Sequence, residues 1–467
     1  MPFNAVSFLR GVRSELPRLI VATAVVVVAS IACAQSSGPS PYSETMLYGF
    51  QGGNDGAYPT ASLILDSSGA LYGTTSDGGS MGYGTVFKLT PPASGQTQWT
   101  ETVLYNFQGG NDGAYPRGRL ILDTFGALFG TTSYGGSIGN GYGAVFKLTP
   151  PTIGQTQWTE TVLYRFPGGN DGAFPQGGLI FDTQGALYGT TASTVFKLTP
   201  PLPSATQWTE TVLHRFQGGG DGVEPLAGLI FDTQGALYGT TSYGGSVGCY
   251  NNIGCGTVFK LTPPTIGQTQ WTETVLYNFQ GGNDSQHPRG GLIFDTQGAL
   301  YGTTFGFIGE GQIRGNAVVN AVTSDYGAVF KLTPPIPPAT QWTSTTLHSF
   351  QIYDGFRPIG DLIFDSYGAL YGTTYEGGAS ANSGTVFKLT PPIPPATQWT
   401  ETVLYNFQGG NDGIQPYAGL IFDTHGALFG TTTGGGGSKY SGTVFKLQCN
   451  GVREIFGGTV HQFCPGG

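Results

Sequence analysis

The chain has 467 residues and a formal net charge of −9, and only 10% of its residues are charged, against about 25% in an ordinary globular domain. Its 79 glycines and 30 prolines, with few lysines and glutamates, exclude helical bundles and coiled coils. Glycine does not recur at every third position, which excludes collagen, and 39% hydrophobic residues argue against general disorder. The composition therefore indicates a turn-rich β protein. Its acidic charge, with no cluster of Lys or Arg, argues against nucleic acid as a partner.

The N-terminal segment has the features of a secretory signal peptide. Three arginines precede an apolar run at 19–31, and Ala32-Cys33-Ala34 then supplies the small residues of a cleavage site. The run has 13 residues, fewer than the ~20 that a membrane-spanning helix needs. A lipoprotein signal acylated at Cys33 is the alternative, but Ser30 stands where such a signal needs a large aliphatic residue. We expect cleavage after Ala34 and a protein that is secreted or lies outside the cell envelope, with the periplasm as the alternative.

A repeat of about 59 residues runs through the rest of the chain in seven copies. Each copy contains Leu-Tyr-Asn-Phe, Gly-Gly-Asn-Asp-Gly-x-x-Pro, Leu-Ile-Phe-Asp, Ala-Leu-Tyr-Gly-Thr-Thr and Thr-Val-Phe-Lys-Leu, with small changes, and Trp-Thr-Glu links most copies to the next. The copies begin at Thr45, Thr102, Thr161, Thr211, Thr274, Thr345 and Thr402.

Four of these words are short β-branched or aromatic runs bounded by Gly, Pro or Asp, which is typical of strands. We name them a (Leu-Ile-Phe-Asp), b (Ala-Leu-Tyr-Gly-Thr-Thr), c (Thr-Val-Phe-Lys-Leu) and d (Trp-Thr-Glu-Thr-Val-Leu-Tyr). The Asp-x-x-Gly link between a and b predicts a tight turn, in which the aspartate of strand a caps the turn. Seven four-stranded meanders predict an all-β, seven-bladed β-propeller of antiparallel blades. An open solenoid is the alternative, but its rungs usually have only about 20–30 residues.

The two ends of the repeat region are complementary. The chain enters it with a d strand at Thr45, and the seventh copy ends after its c strand at 443–447. We therefore predict that the N-terminal strand closes the ring, with 452–456 as the alternative for the last d strand. The predicted domains are a signal peptide (1–34), a short linker (35–44), the propeller (45–448) and a C-terminal tail (449–467).

The repeated words resemble the Gloeobacter/Verrucomicrobia-type tandem repeat, the GloVer repeat of "choice-of-anchor" exported bacterial proteins. The resemblance rests on Leu-Tyr-x-Phe, Gly-Gly-x-Asp-Gly-x-x-Pro, Leu-Ile-x-Asp, Leu-Tyr-Gly-Thr-Thr and Gly-Thr-Val-Phe-Lys-Leu, and it covers residues 45–447. It implies an exported, propeller-like protein and brings no known catalytic residues. Residues 448–467 have neither a hydrophobic tail nor a basic cluster, so we expect free secretion rather than surface anchoring.

Length variation is concentrated in the loop between strands b and c. From the last threonine of strand b to the phenylalanine of strand c, the seven copies take 12, 14, 5, 18, 26, 13 and 13 positions. In a four-stranded blade the b–c and d–a loops emerge on the same face, and insertions in repeat proteins often map to a binding face. We predict that this rim, around the mouth of the central channel, is the ligand face.

The candidate ligand-binding residues lie on this rim. One set comprises the aspartates of the d–a turns, which could bind sugar hydroxyls or Ca²⁺ but which turns also require for their own geometry: Asp55, Asp112, Asp171, Asp221, Asp284, Asp354 and Asp412. The other set comprises tyrosines of the b–c loops, which offer contact area at low entropic cost: Tyr134, Tyr243, Tyr326 and Tyr375. We expect no cofactor; Ca²⁺ is only weakly supported, because the spacing does not match a Ca²⁺-binding loop.

No catalytic motif is present, and a residue repeated in every blade usually serves the blade. Glu310 and Arg314, in the longest b–c loop, are the most notable non-repeated charged pair, and they are too weakly supported to be assigned as catalytic. The tryptophans before strand d are interpreted as packing between blades: Trp99, Trp158, Trp208, Trp271, Trp342 and Trp399.

Four cysteines remain after removal of the signal peptide, and an even number in an exported chain suggests disulfides. Local pairing is the simplest arrangement and predicts Cys249–Cys255 and Cys449–Cys464. A zinc site is the alternative, which no C-x2-C spacing supports.

The sequence thus predicts a monomeric, non-catalytic propeller that binds a carbohydrate or an envelope protein. A polysaccharide lyase or glycoside hydrolase acting at the propeller mouth, and a purely structural surface or matrix protein, are the alternatives.

Overall fold

The structure is a computed structural model. It describes residues 41–136, 141–203, 205–245, 249, 253–308, 313–314, 317–318, 324–379, 383–437, 440–451, 453–456 and 459–462. The predicted signal peptide, most of the linker, Glu310 and Cys464 lie outside these ranges. Within them, no helix is long and apolar enough to cross a membrane.

Seven antiparallel sheets of four strands, each in the order a–b–c–d, confirm the predicted propeller. The a strands are Ile64–Leu65, Ile121–Leu122, Ile180–Phe181, Ile230–Phe231, Ile293–Phe294, Ile363–Phe364 and Ile421–Phe422. The b strands are Leu71–Thr75, Leu128–Thr132, Leu187–Thr190, Leu237–Thr241, Leu300–Thr304, Leu370–Thr374 and Leu428–Thr432. We number the blades 1 to 7 in this order.

The outer half of each blade is longer than the inner half. The c strands are Thr85–Thr90, Ala144–Thr149, Thr194–Thr199, Thr257–Thr262, Ala328–Thr333, Thr385–Thr390 and Thr443–Cys449. The d strands are Thr100–Asn106, Thr159–Arg165, Thr209–Arg215, Thr272–Asn278, Thr343–Ser349, Thr400–Asn406 and, for blade 7, Tyr42–Gly49. Outside the blades, short pairs join Phe307–Ile308 to Ser324–Asp325, Ile313–Arg314 to Ala317–Val318, and Arg453–Phe456 to Thr459–Gln462. One-turn 3-10 helices lie in three d–a loops, at Gly169–Asp171, Gly219–Asp221 and Gly282–Asp284.

The N-terminal strand closes the ring, as predicted. Tyr42–Gly49 pairs antiparallel with Thr443–Cys449, the c strand of blade 7. The alternative segment, Arg453–Phe456, instead forms a hairpin with Thr459–Gln462. Since a closed ring has no first or last blade edge, closure removes the exposed sheet edges of an open array.

The hydrophobic core lies between blades rather than within them. Phe107, which follows strand d of blade 1, packs edge-on against Phe146 of strand c in blade 2, with ring centroids 5.1 Å apart. The hydrophobic cluster between blades 1 and 2, like the one between blades 2 and 3, contains residues from strands a to d of one blade and from the a, b and c strands of the next. Seven such clusters occur, and the last joins Phe50 of the N-terminal strand to Phe87 of blade 1. Each blade is therefore stable only through its neighbours.

The glycine of strand b makes room for the strand-c phenylalanine of the same blade. At Gly239, an added Cβ would lie 2.6 Å from Cζ of Phe259, well inside van der Waals contact. The equivalent glycine in all the other blades meets its own strand-c phenylalanine at 2.6 or 2.7 Å. The Leu-Tyr-Gly-Thr-Thr motif thus forms a strand and also leaves the space that the phenylalanine ring fills.

Two repeated residues have the structural roles that the sequence predicted. Trp99, before strand d of blade 1, contacts Phe429 of blade 7, and Trp271 of blade 4 contacts Tyr188 of blade 3 in the same way. The strand-a aspartate caps the a–b turn: Oδ1 of Asp66 accepts hydrogen bonds from the backbone N–H groups of Ser68 and Ala70. Both residues therefore serve the blade.

A carboxyl pair lies at the outer edge of most blade interfaces. Glu101, on strand d of blade 1, has a buried Oε1 with no hydrogen-bond partner among the described residues. Burial, followed by the nearby charge of Asp55, raises its pKa to about 7. The same position has a raised pKa, to about 7 or about 8, in all six glutamates that occupy it: Glu44, Glu101, Glu160, Glu210, Glu273 and Glu401. Burial thus moves the titration of these side chains from the acid range to near neutral pH.

We expect Gly239→Ala to destabilise the propeller by about 1–3 kcal/mol, because the added methyl overpacks the cavity that Phe259 fills. Chemical denaturation followed by tryptophan fluorescence measures the effect. Gly220→Ala is the matched control, since nothing lies within 4 Å of its Cβ position. Equal midpoints for the two variants would contradict the packing role of the strand-b glycine.

We expect Phe50→Ala to cost as much stability as Phe279→Ala, about 3–5 kcal/mol each, because both phenylalanines fill equivalent blade interfaces. Thermal unfolding of the two variants side by side tests this expectation. A small loss for Phe50→Ala alone would show that the N-terminal strand does not complete blade 7.

We expect Glu101→Gln to flatten the fall in stability at alkaline pH. The folded pKa of Glu101 is about 7 and its ordinary value is 4.5, so its favourable contribution is complete below pH 4.5 and is lost as the pH rises through 7. The variant should match the wild type in thermal midpoint at pH 4.5 and exceed it at pH 8.5.

The control is Glu224→Gln, which removes the same charge outside the carboxyl pairs. Matching midpoints for wild type and Glu101→Gln at both pH values would mean that Glu101 is ionised in the folded ring.

Candidate functional site at the channel mouth

The segments that lead into the a strands surround the axis of the ring. In each, the loop proline is followed by a variable residue, a small residue and a second variable residue, as in 175–178 of blade 3. A Cβ at Gly177 would lie only 2.5 Å from the carbonyl oxygen of Ala227 in blade 4. Thr190 donates its hydroxyl to that same oxygen at 3.0 Å. The small residue lets neighbouring blades meet, and the two variable positions are left to line the channel.

A cavity of about 630 Å³ occupies this axis and is lined by all seven blades. This volume is within the range of ~300–1,000 Å³ for small-molecule sites. Residues from the segment after the loop proline contribute in every blade: Thr60, Arg117, Gln176, Leu226, Arg289, Ile359 and Tyr417 hold its first position. Tyr58, Tyr375, Gln415, Thr433 and Tyr440, from the d–a and b–c loops, complete the wall at the mouth.

The residue before the loop proline is held in the left-handed region in every blade. The backbone N–H of Tyr58 donates to the carbonyl of Ser441 in blade 7 at 2.8 Å, while its own carbonyl accepts from Ser76 of blade 1 at 3.0 Å. Two hydrogen bonds to different blades thus fix a conformation that non-glycine residues seldom adopt. The residues with φ between 55° and 60° at this position are Tyr58, Tyr115, Phe174, Glu224, His287, Arg357 and Gln415.

The channel positions differ from blade to blade, whereas the scaffold positions repeat. The strand-c phenylalanine and the strand-a aspartate are the same in all seven blades, because each serves its own blade. At the channel, the residue before the proline and the first and third residues after it include aromatic, cationic, anionic, amide and aliphatic side chains. Blade structure does not demand these identities, so they are the residues that give the site its chemistry.

The b–c loops and d–a loops share one face, as predicted, and pair with each other there. Ala57 bridges Asp77, and Phe356 bridges Glu376, within single blades. Of the four predicted tyrosines, Tyr375 lines the cavity, where its ring meets that of Tyr417 edge-on at 5.9 Å. The other three lie in aromatic contacts beside the channel: Tyr134 with Tyr115 and Phe174, Tyr243 with His287, and Tyr326 with Phe356.

The predicted aspartates lie in the d–a turns, where the backbone uses them. Asp55 accepts hydrogen bonds from the Tyr48 hydroxyl at 3.0 Å and from the Gln51 N–H at 2.8 Å. The other six likewise lie beside the tyrosine or histidine of the preceding d strand: Asp112, Asp171, Asp221, Asp284, Asp354 and Asp412. None of the seven lines the cavity. Turn chemistry accounts for these contacts, and a ligand role for the set stays a prediction.

One of these turns carries a possible set of metal ligands. His348, Asp354 and Glu401 each present a ligand atom, and these atoms lie within 4.8 Å of one another. His348 Nε2 is 3.1 Å from Asp354 Oδ2. In most other blades a tyrosine takes the place of this histidine, so the group is a local variant of the carboxyl pair at the blade edge. It lies away from the cavity wall.

The charged groups of the cavity were missed by the sequence analysis. They are Arg117, Arg119, Arg289 and Asp361, all in the short segment after the loop proline. The charged pair noted from the sequence, Glu310 and Arg314, lies instead in the longest b–c loop. Aligning the seven copies on the proline would have revealed these positions, because they vary where the surrounding words repeat.

The Cys249–Cys255 disulfide is present, with Cα atoms 5.2 Å apart, and confirms the predicted pair. It lies in the b–c loop of blade 4 and packs against the core cluster between blades 4 and 5. The carbonyl of Cys255 accepts from the backbone N–H of His287, the residue before the loop proline of blade 5. The disulfide thus stabilises a loop that supports the channel mouth. The predicted partner of Cys449, Cys464, lies outside the described residues.

Several solved structures match the chain at low sequence identity. A Trichoderma reesei carbohydrate-active enzyme of family AA12 matches with 14% identity and a TM-score of 0.40, covering 89% of this chain and 99% of its own. The extracellular domain of a putative hybrid two-component system from B. thetaiotaomicron matches with 13% identity and a TM-score of 0.48, covering 88% of this chain and 43% of its own. A gluconolactonase from Xanthomonas campestris matches with 13% identity and a TM-score of 0.37, covering 90% and 92%.

No curated protein sequence matches the chain at a significant level. A family profile, however, matches most of it. The profile of the Gloeobacter/Verrucomicrobia repeat aligns with residues 38–252 and 309–464, which include blades 1, 2, 3, 6 and 7 and two strands each of blades 4 and 5. The chain therefore belongs to the Gloeobacter/Verrucomicrobia repeat family.

Proposed function

We propose that this protein is exported and non-catalytic, and that it binds a carbohydrate at the mouth of the central channel on the b–c loop face. The observation that carries the proposal is the cavity of about 630 Å³ whose wall is built from non-repeated residues on a repeated scaffold. The signal-like N-terminus supports export, because basic, apolar and small-residue regions follow in the required order.

The composition of the wall suits a sugar. Tyr375 and Tyr417 meet edge-on at 5.9 Å, and Tyr58 and Tyr440 add two more rings at the same mouth. Aromatic faces pack against the C–H face of a pyranose, while neighbouring polar groups hydrogen-bond its hydroxyls. The amide of Gln415, with hydroxyl and guanidinium groups elsewhere in the wall, supplies such partners.

Catalysis at the same mouth is the weaker alternative. Glycosidases of the usual kind need two carboxyl groups flanking the scissile bond. Asp361 is the one carboxylate in the wall of this cavity, and its Oδ1 accepts the Gly291 N–H at 2.6 Å. Glu376, in the b–c loop of blade 6, forms an ion pair with Arg357. Nη1 of Arg357 donates to both carboxylate oxygens of Glu376, at 2.9 and 3.0 Å. Both carboxylates are thus engaged in holding the loops.

Binding to a glycan array tests the proposal, with Tyr417→Ala as the diagnostic variant. We expect the wild type to bind a limited set of glycans and Tyr417→Ala to lose about tenfold in affinity, which corresponds to ~1.4 kcal/mol. The matched control is Tyr367→Ala, in an a–b turn on the opposite face, where the ring is 88% exposed.

Uniformly negative arrays would contradict carbohydrate binding and favour a structural or protein-binding role. Equal losses in the two tyrosine variants would contradict the channel mouth as the site. Turnover of a bound glycan, detected by its reducing ends, would favour the enzyme alternative instead.

A further inference from the structure

We infer that the ligand of the channel is an acidic oligosaccharide whose carboxylate or sulfate groups are bound by Arg117, Arg119 and Arg289. The inference rests on the proposed function, because it names the class of sugar that the same cavity would take. It is carried by the placement of three guanidinium groups that form no ion pair with any described carboxylate.

The other lysines and arginines with described side chains lie outside this cavity wall and have partners on the blades and loops. The seven strand-c lysines each lie over the ring of a tyrosine or phenylalanine in strand b: Lys88, Lys147, Lys197, Lys260, Lys331, Lys388 and Lys446. Arg165 and Arg215 donate to backbone carbonyls of the preceding d–a loop, and Arg357 pairs with Glu376. These cations hold the ring together.

The three remaining arginines all line the same cavity. Within the described residues, no carboxylate lies within 4 Å of any of them. Arg289 lies over the ring of Phe305, with its Cζ 4.4 Å from the ring centroid, and its Nε is buried without a hydrogen-bond partner. The donor groups of these arginines are therefore available to a ligand.

The charge of the cavity is opposite to that of the protein. The chain carries a net charge of −9, yet the described residues of this wall include three guanidinium groups and one carboxylate, that of Asp361. Cations gathered in one cleft repel one another and raise the local concentration of anions. The guanidinium fork also matches carboxylate and sulfate geometry with two parallel hydrogen bonds. An anionic group is thus the partner that this wall favours.

The order of the blades indicates an extended ligand. Arg117 and Arg119 belong to blade 2 and Arg289 to blade 5, which is the largest separation that a ring of seven allows. Acid groups bound from both sides would belong to a chain of sugars that crosses the axis. Tyr375 and Tyr417, of blades 6 and 7, complete the wall at the mouth and would pack against the sugar rings.

The test compares three trisaccharides by calorimetry: trigalacturonate, its neutral methyl ester and a sulfated galactose trimer. We expect at least one acidic trimer to bind about tenfold or more tightly than the ester, and to weaken as salt rises. Arg289→Gln should cost about tenfold in affinity for the acid and leave the ester within about twofold. Asp361→Asn should strengthen binding of the acid, because it removes the one negative charge in the wall.

Arg165→Gln is the matched control, since it removes an arginine that lies outside the cavity wall, and we expect no change from it. Equal affinity for acid and ester would overturn the inference, and so would sulfate ion alone binding as tightly as either acidic trimer. If neutral glycans bind through Tyr417 and acidic glycans bind no more tightly, the proposed carbohydrate-binding function would stand and the inference of an acidic ligand would be refuted. Failure of all sugars to bind would refute the proposed function itself.

Discussion

The contact on which the rest of the structure depends is the edge-on packing of two phenylalanines across each blade interface. The ring that follows strand d meets the strand-c ring of the next blade, with centroids 5.0–5.2 Å apart at all seven interfaces. A glycine in strand b creates the space for the second ring. No blade contains a core of its own, so seven interfaces require a closed ring, and closure requires Tyr42–Gly49 in blade 7.

This constraint divides the sequence into positions that must repeat and positions that are free. Phenylalanine and glycine cannot change in one blade without damage to an interface, and the aspartate cannot change without loss of the cap of its a–b turn. At the axis, by contrast, packing fixes the small residue two positions after the loop proline, since Gly177 must admit the carbonyl of Ala227. The residue directly after the proline varies, and threonine, arginine, glutamine, leucine, isoleucine and tyrosine all occur there.

The fold could be predicted from the sequence because its determinants are local words that recur seven times. Strand identity follows from each word, and the blade count and closing strand follow from counting words. The cavity could not be predicted in the same way. Arg119 and Arg289 are far apart in the chain, and they line the same cavity only because blades 2 and 5 surround the same axis. The b–c loops lie on the face at which this cavity opens, and Tyr375, in one of them, lines it. The charged groups, however, came from the shortest and least conspicuous segment of the repeat.

The glutamates of the d strands and the arginines of the channel occupy different places for a physical reason. The glutamates of the d strands repeat around the outer edge, where burial raises the pKa to about 7 or about 8, so that each side chain is uncharged below that pH. A buried group without a partner contributes least to instability when it is uncharged. The arginines of the channel cannot adopt this solution, because guanidinium does not lose its proton in proteins. Three permanent charges therefore remain in one cleft, and this is the physical reason for proposing an anionic ligand there.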